Sequence, residues 1–561
     1  MRPGEGCLSI VRSSALVGGW TFLSRVLGFL RDLLLAVSFG SSFLADAFVA
    51  AFQIPNLFRR IFAEGAFNSA FVPMFGARLA EGGPAQARLF AEQVLSVLLA
   101  MLLVVNMVAI IFMPEIVTML APGYSVELAT RITAIFGLEL PFTITEDPRK
   151  FDVTVEYARI LFPYLVFASL MALFSAILNS FNRFALAAAA PSMLNIVGIM
   201  ALGLGAGLGD ELLAEMLINI SVLLGLSLDL NASPKLAADI FIFAILFSGL
   251  LQAGIVAWGV ARLGISLRLR FIRWGPGLKE FFRLLGPGIL AGGVVQINIL
   301  AGGIIASFQD GARAHLYYAD RLYQFPLGLI GVAISVVLLP KLTASLNKQD
   351  GSAAGLVDES LITAMFLTLP AAFGLAVLAE PIIATLFQHG RFTAEDTSAT
   401  AAALIGFAAG LPAYVLVKIF SPTFFARLDT RTPMQLALLS MLVNITISLI
   451  FFPIHGHVAI AWATAVASVV QAMGLMLVMW WRDYHEWRMK LVMRLLKLLA
   501  ASVVMALSLF FVPDLGGDDW GARILDLAVR VALGIVVFAV MVFSLQVVGL
   551  SDLRKLRRPS S

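Results

Sequence analysis

Seven ionisable residues stand where the chain is otherwise apolar. Arg25, Arg31 and Asp32 fall inside the first long apolar stretch, 13–39, and Asp46, Arg59, Arg60 and Glu64 inside the second, 43–75. An ionised side chain at the centre of a bilayer costs at least about 2.5–3.5 kcal/mol, so each needs a partner or a wet surface. Arg25 and Asp32 are seven residues apart and share one helical face. Arg60 and Glu64 are four apart and can pair. Arginine is the cation best suited to phosphate, because its planar, always-charged fork donates two hydrogen bonds at once. Several arginines around a wet cavity would attract a diphosphate. A cavity for organic cations would instead be lined by carboxylates and aromatic rings. The competing reading is that these charges pair off and lock helices together, or lie among headgroups at span ends.

The elements that must position these residues are membrane spans. Of 561 residues 60% are hydrophobic and 13% charged, against roughly 25% charged in soluble domains. The mean hydropathy is +0.93. A net charge of +4 is ordinary for a protein whose cytoplasmic loops collect Lys and Arg, and it gives no argument for nucleic acid. The single cysteine, Cys7, excludes an internal disulfide and a Cys-ligated zinc site. No cleavable signal is evident; the first apolar stretch reads as a retained span. A span needs about 20 apolar residues. Such runs occur at 13–39, 43–75, 94–113, 160–181, 184–209, 240–261, 284–309, 322–340, 360–379, 397–417, 432–453, 458–481, 491–513 and 531–550. The expectation is an all-α polytopic membrane protein with fourteen transmembrane helices. A further run, 216–228, is too short to span and reads as an interfacial or re-entrant segment. Lys and Arg recur in every second connection, which places both termini in the cytoplasm.

An internal repeat organises the spans. Residues 113–123, MPEIVTMLAPG, match 380–390, EPIIATLFQHG, at an offset of 267, and Pro73 matches Pro340 at the same offset. Upstream Asp46 matches Asp320; downstream the offset falls in two steps, locating insertions near 124–160 and 205–238. Six spans per repeat give two parallel halves: 1–265, 266–490, and a remainder, 491–561, with two further helices and a basic tail. The repeat divides the charge cluster. The seventh span, which corresponds to the first, has no charge, and Arg321 has no counterpart in the first half. Arg25, Arg31, Arg59 and Arg321 are therefore the functional candidates, while Asp46 and Asp320 read as gating or structural pieces. Gly286-Pro287-Gly288 and Gly292-Gly293 can break or bend the seventh span as a hinge, or simply allow close packing. The basic connection 262–283 reads first as a topology determinant and second as a headgroup site. His455 and His457 are too few for a metal site. No GxxxxGK[ST] loop is present, so direct ATP drive is not expected.

Four stretches carry a family resemblance: SRVLGFLRD (24–32), ADAFVAAFQIPNLFRRIFAEGAFNSAFVP (45–73), ILNSFNRF (177–184) and YYADRLYQFPLG (317–328). They closely resemble the MurJ (MviN) family, lipid II flippases of the multidrug/oligosaccharidyl-lipid/polysaccharide (MOP) exporter superfamily, over nearly the whole chain. The resemblance implies two six-helix lobes around a central cavity, with the last two helices forming a groove for the lipid tail. It implies a transporter, not an enzyme, moving lipid II across the bacterial inner (plasma) membrane by alternating access. It maps the cavity arginines onto Arg25, Arg31, Arg59 and Arg321, and an important acidic position onto Asp46. Ser24 and Asn56 go with substrate binding; Asp32, Arg60, Glu64 and Asp320 go with gating or structure. No cofactor is implied, but a membrane potential or ion gradient is. The implied partners are lipid II, membrane lipids and, left open, other cell-wall synthesis proteins. Two departures stand out: Gln324 occupies a place where some relatives carry Glu, and the two outside loops are long. Two rival readings remain. One is an exporter of another polyprenyl-diphosphate glycan. The other is a membrane glycosyltransferase, whose repeated-acid motifs are absent.

Overall fold

The computed structural model describes residues 5–60, 67–135, 137, 140–144, 147–207, 233–271, 274–348, 352–513 and 520–547, and their regular elements are all helical. Among the described residues, ten helices are long and apolar enough to cross a membrane by length and composition. Each of the fourteen expected spans falls, among the described residues, at least in part on helix. The breaks follow local chemistry. Phe67–Ile111 carries the end of the second expected span and most of the third, joined at Gly83, whose φ of 69° suits a residue without a Cβ. The fourth span is interrupted at Pro163 between Lys150–Leu161 and Tyr164–Ser180. A π-helical turn, Leu327–Val332, follows Pro326 in the eighth. Of the two readings of the seventh span's glycines, a break or close packing, no break is seen: Pro276–Ala306 stays helical through Gly286 and Gly293. The short run 216–228 lies outside the described residues.

The chain forms two compact units, residues 1–314 with 390–392, and 315–389 with 393–561. Packing thus places the seventh span with the first unit, whereas the repeat boundary near 265 assigns it to the second half. The reason is aromatic. Phe281 of Pro276–Ala306 meets Phe67 and Phe90 edge-on at 5.6 and 6.4 Å, and Phe71 stacks on both Phe75 and Phe90. Each such pair adds about 0.5–1.5 kcal/mol beyond its buried area.

In the second unit Ala394–Phe425 is the central helix. A capping box starts it: Thr393 Oγ1 accepts from Asp396 N, and the Asp396 carboxylate accepts from Thr393 N. Gly406 and Gly410 lie against Ala461 and Ala465 of His457–Trp481, so the two backbones approach closely. The helices Met489–Phe510 and Trp520–Ser544 pack on Ala353–Val377, with Phe366 and Phe538 at 5.5 Å.

The repeat has a physical counterpart in the first unit. A Cβ on Gly123 would stand 2.1 Å from the backbone oxygen of Ser307, and one on Gly390 would stand 2.5 Å from that of Val37. These matched glycines are required for close approach, and each rests on the end of the other repeat's first span.

Candidate functional site

Arg31 is the best-held of the four candidate cations. It lies on Glu5–Phe39, buried with its neighbour Asp32. Its Nε and Nη2 donate to Asp32 Oδ1 at 3.0 and 2.6 Å, and Nη1 donates to Asn195 Oδ1 at 3.0 Å. Asn195 in turn donates from Nδ2 to the Ser24 carbonyl at 2.8 Å. A helix of small residues makes this possible, since Gly28 faces Asn195 and Gly198 faces the Arg31 side chain. Arg25, one residue past Ser24, is exposed and has no hydrogen bond or ion pair among the described residues. The face shared by Arg25 and Asp32 therefore holds one accessible cation and one carboxylate already engaged by Arg31.

On Phe43–Arg59, Arg59 donates through Nε and Nη2 to Asn56 Oδ1 at 3.1 and 2.9 Å and is half-buried. Arg60, also half-buried, ends this helix through its N–H to the carbonyls of Asn56 and Leu57. Glu64 lies outside the described residues, and so does the expected pair with Arg60. In the second unit, Arg321 sits on Ala312–Pro326 with its guanidinium 4.4 Å from the centre of the Tyr317 ring. Gln324 donates its amide to the Asp320 carboxylate. An acid at 324 would face Asp320 as a like charge, so the amide changes the local electrostatics rather than merely deleting a group.

The echo between Asp46 and Asp320 does not extend to their surroundings. Asp46 lies in the first turn of its helix and is fully buried, whereas Asp320 lies two turns into its helix and is half-buried. Asp46 centres a group that sequence reading missed. Its Oδ2 accepts Lys150 Nζ at 2.6 Å and Gly311 N at 3.0 Å, and its Oδ1 accepts Ala314 N at 2.9 Å. Lys150 Nζ also donates to Asp310 at 2.5 Å and lies 4.4 Å from the Tyr124 ring centre. The Tyr124 hydroxyl donates to the Asp46 carbonyl at 3.2 Å. Arg313 closes the set, donating to Gln53 Oε1 at 3.2 Å and to the Leu120 carbonyl. The available signal was Lys150 itself, a cation just before an apolar run in a connection read as acidic. Asn195 carried a weaker signal, an asparagine on an otherwise apolar helix.

All-helical architecture and apolar helices long enough to cross a membrane define a polytopic α-helical membrane protein. A solved inward-facing multidrug resistance MATE family transporter of the MOP superfamily has the same fold, with a TM-score of 0.60, 14% identity, and coverage of 82% of this chain and 94% of that one. The family model described as "Lipid II flippase MurJ" matches residues 35–528, and the chain belongs to that family. A relative from Rhizobium tropici, "Probable lipid II flippase MurJ", is 39% identical over 500 residues, 89% of this chain and 86% of its own. A solved structure titled "Lipid II flippase MurJ, inward closed conformation" gives a TM-score of 0.74 at 25% identity, covering 97% of this chain and all of that one. The protein is thus a multi-pass bacterial membrane protein.

Proposed function

We propose that the protein moves lipid II from the cytoplasmic to the outer leaflet of the inner membrane, with both termini in the cytoplasm, by alternating access. The observation that carries this is the set of arginines in the first two spans of a chain belonging to the lipid II flippase family. Arg25 is the group open to an incoming diphosphate. Arg59 donates to Asn56 and Arg321 lies against the Tyr317 ring, so each guanidinium is held in direction. Arg31 differs, because Asp32 already neutralises it. Its part is to hold the bend of polar groups from Ser24 to Asn195, and it meets phosphate only by sharing its guanidinium. Drive by membrane potential or an ion gradient is part of the proposal; membrane lipids surround the protein, and lipid II is the cargo. The experiment is depletion in the host followed by measurement of lipid II in the outer leaflet. A fall on depletion, reversed by the parent chain, supports the reading. Unchanged outer-leaflet lipid II in a host lacking another flippase would defeat it.

A further inference from the structure

A lysine with no water contact needs a reason. The Lys150 side chain is 0% exposed, as is that of Asp46, while that of Asp310 is 19% exposed. Isolated burial of an ammonium or a carboxylate costs several kcal/mol each, and hydrophobic residues of the same volume would serve packing at least as well. A stable membrane core gains little from such a group. A joint that must open gains directionality from it, because ions released into water recover their hydration while an apolar joint loses its burial.

The elements that meet at Lys150 share one end of the first unit. They are the first turn of Phe43–Arg59, the Pro122–Tyr124 turn, the first residue of Lys150–Leu161, and the turn from Ser307 into Ala312–Pro326. Ser307 Oγ accepts from Gly123 N at 3.0 Å beside them. At the same end, Arg391 N donates to the Val37 carbonyl at 3.0 Å. By the orientation proposed above, every one of these segments belongs to an outside connection or a span's outer end. The stretch that Asp46 and Lys150 hold, Asp310–Ala314, is where the first unit ends and the chain passes into the second.

We propose that Lys150 is the positioning residue of an outer latch: it bridges Asp46 to Asp310, fastening the Ser307–Ala314 turn, and lets go whenever this end opens. The proposal rests on the alternating-access reading, but not on lipid II as cargo. Asp46 alone would not make the latch. Its two backbone donors fix the start of Ala312–Pro326, and the lysine ties the Asp310–Ala314 turn to the start of Lys150–Leu161 and to the first turn of Phe43–Arg59, beside the Asp310 N–H that donates to the Thr143 carbonyl at 2.9 Å.

The test uses the full chain, purified in lipid nanodiscs without lipid II, with Cys7→Ser and a reporter Ser307→Cys. Ser307 is fully buried here, and Cys7 is the native cysteine that must be removed. Maleimide labelling of the reporter then reads opening at this end from either face of the disc. Lys150→Met should raise its rate by about tenfold or more, since one partner of a buried pair is lost. Asp310→Asn should raise it less. The double variant Lys150→Met/Asp310→Asn removes the surplus negative charge but not the loss of the bridge, so its labelling stays fast. A control cysteine at the buried Ser248 keeps the parent rate in each background. Parent-like labelling at position 307 in a folded Lys150→Met protein overturns the latch. So does a double variant that returns to the parent rate, or equal acceleration at position 248. If Lys150→Met does not fold, Asp310→Asn and the double variant decide by the same criteria. Since no lipid II is present, a positive result stands even if lipid II transport later fails, and a negative one leaves the transport reading intact.

Discussion

Arg25 and Arg31 are six residues apart on one helix, yet replacing them with alanine should differ in its effect on stability. Arg31→Ala leaves the Asp32 carboxylate buried without its guanidinium and removes the donor to Asn195. Removing one partner of a buried ion pair typically costs about 3–5 kcal/mol. The lost side chain also leaves space beside Gly198, whose added Cβ would stand 2.9 Å from Arg31 Cδ. Arg31→Ala/Asp32→Ala should recover most of that loss, because no bare charge remains. Arg25→Ala removes an exposed group with no described partner, so folding stability should not change. Thermal unfolding of purified protein in detergent measures the first effect, and rescue of flippase-depleted cells measures function. The expected pattern is a stable but inactive Arg25→Ala and a destabilised, inactive Arg31→Ala. A stable Arg31→Ala, or a double variant no better than the single, would refute the buried-pair reasoning. Full rescue by Arg25→Ala would remove Arg25 from the substrate site.

Three further outcomes follow from the geometry. Asn195→Ala should cost about 1–3 kcal/mol in thermal unfolding by stranding the buried Arg31 Nη1 donor, and an unchanged melting temperature would show that this bond contributes nothing. Gly40→Ala should destabilise by more than about 1 kcal/mol, because Gly40 has φ 58° and its added Cβ would stand 2.5 Å from the Arg391 carbonyl oxygen; an unchanged melting temperature would show that the close approach relaxes. Asp429 lies between two spans. Burial raises its carboxyl pKa, but hydrogen bonds from Thr432 and Arg482 outweigh this and hold it below the usual carboxylate range. A depressed folded pKa means the stabilisation is present above the ordinary carboxylate value and lost as pH falls through the folded one. Asp429→Asn should therefore be less stable than the parent at neutral pH, with the gap closing on acidification below about pH 4; a gap independent of pH would contradict it.

The fold was largely legible because bilayer thickness writes itself into apolar runs: among the described residues, each of the fourteen expected spans falls at least in part on helix. Breaks were harder. Gly83 and Pro163 announce themselves by residue type, yet Gly286 and Gly293 are equally suggestive and leave their helix intact, since glycine permits a break without requiring one. The seventh span's place in the first unit depends on where Phe281 meets Phe67 and Phe90, a tertiary fact with no local signature. At the site, charge in an apolar run singled out the arginines. It did not reveal their states, because the partner of Arg31 besides Asp32 is 164 residues away at Asn195. Lys150 escaped notice for a related reason. Its neighbours Asp147 and Arg149 form a surface pair at 2.8 Å, so the segment reads as a solvated connection, while the next residue turns inward to Asp46, 104 residues back.

The central claim is that this chain carries lipid II across a bilayer through its arginines. The most direct measurement is transbilayer movement of lipid II in proteoliposomes containing the purified chain, beside matched vesicles with Arg25→Ala and with no protein, under an imposed membrane potential. The account predicts movement with the parent chain and a rate at the protein-free level for Arg25→Ala. A parent chain no faster than empty vesicles under every imposed gradient, or an Arg25→Ala variant as fast as the parent, would contradict it.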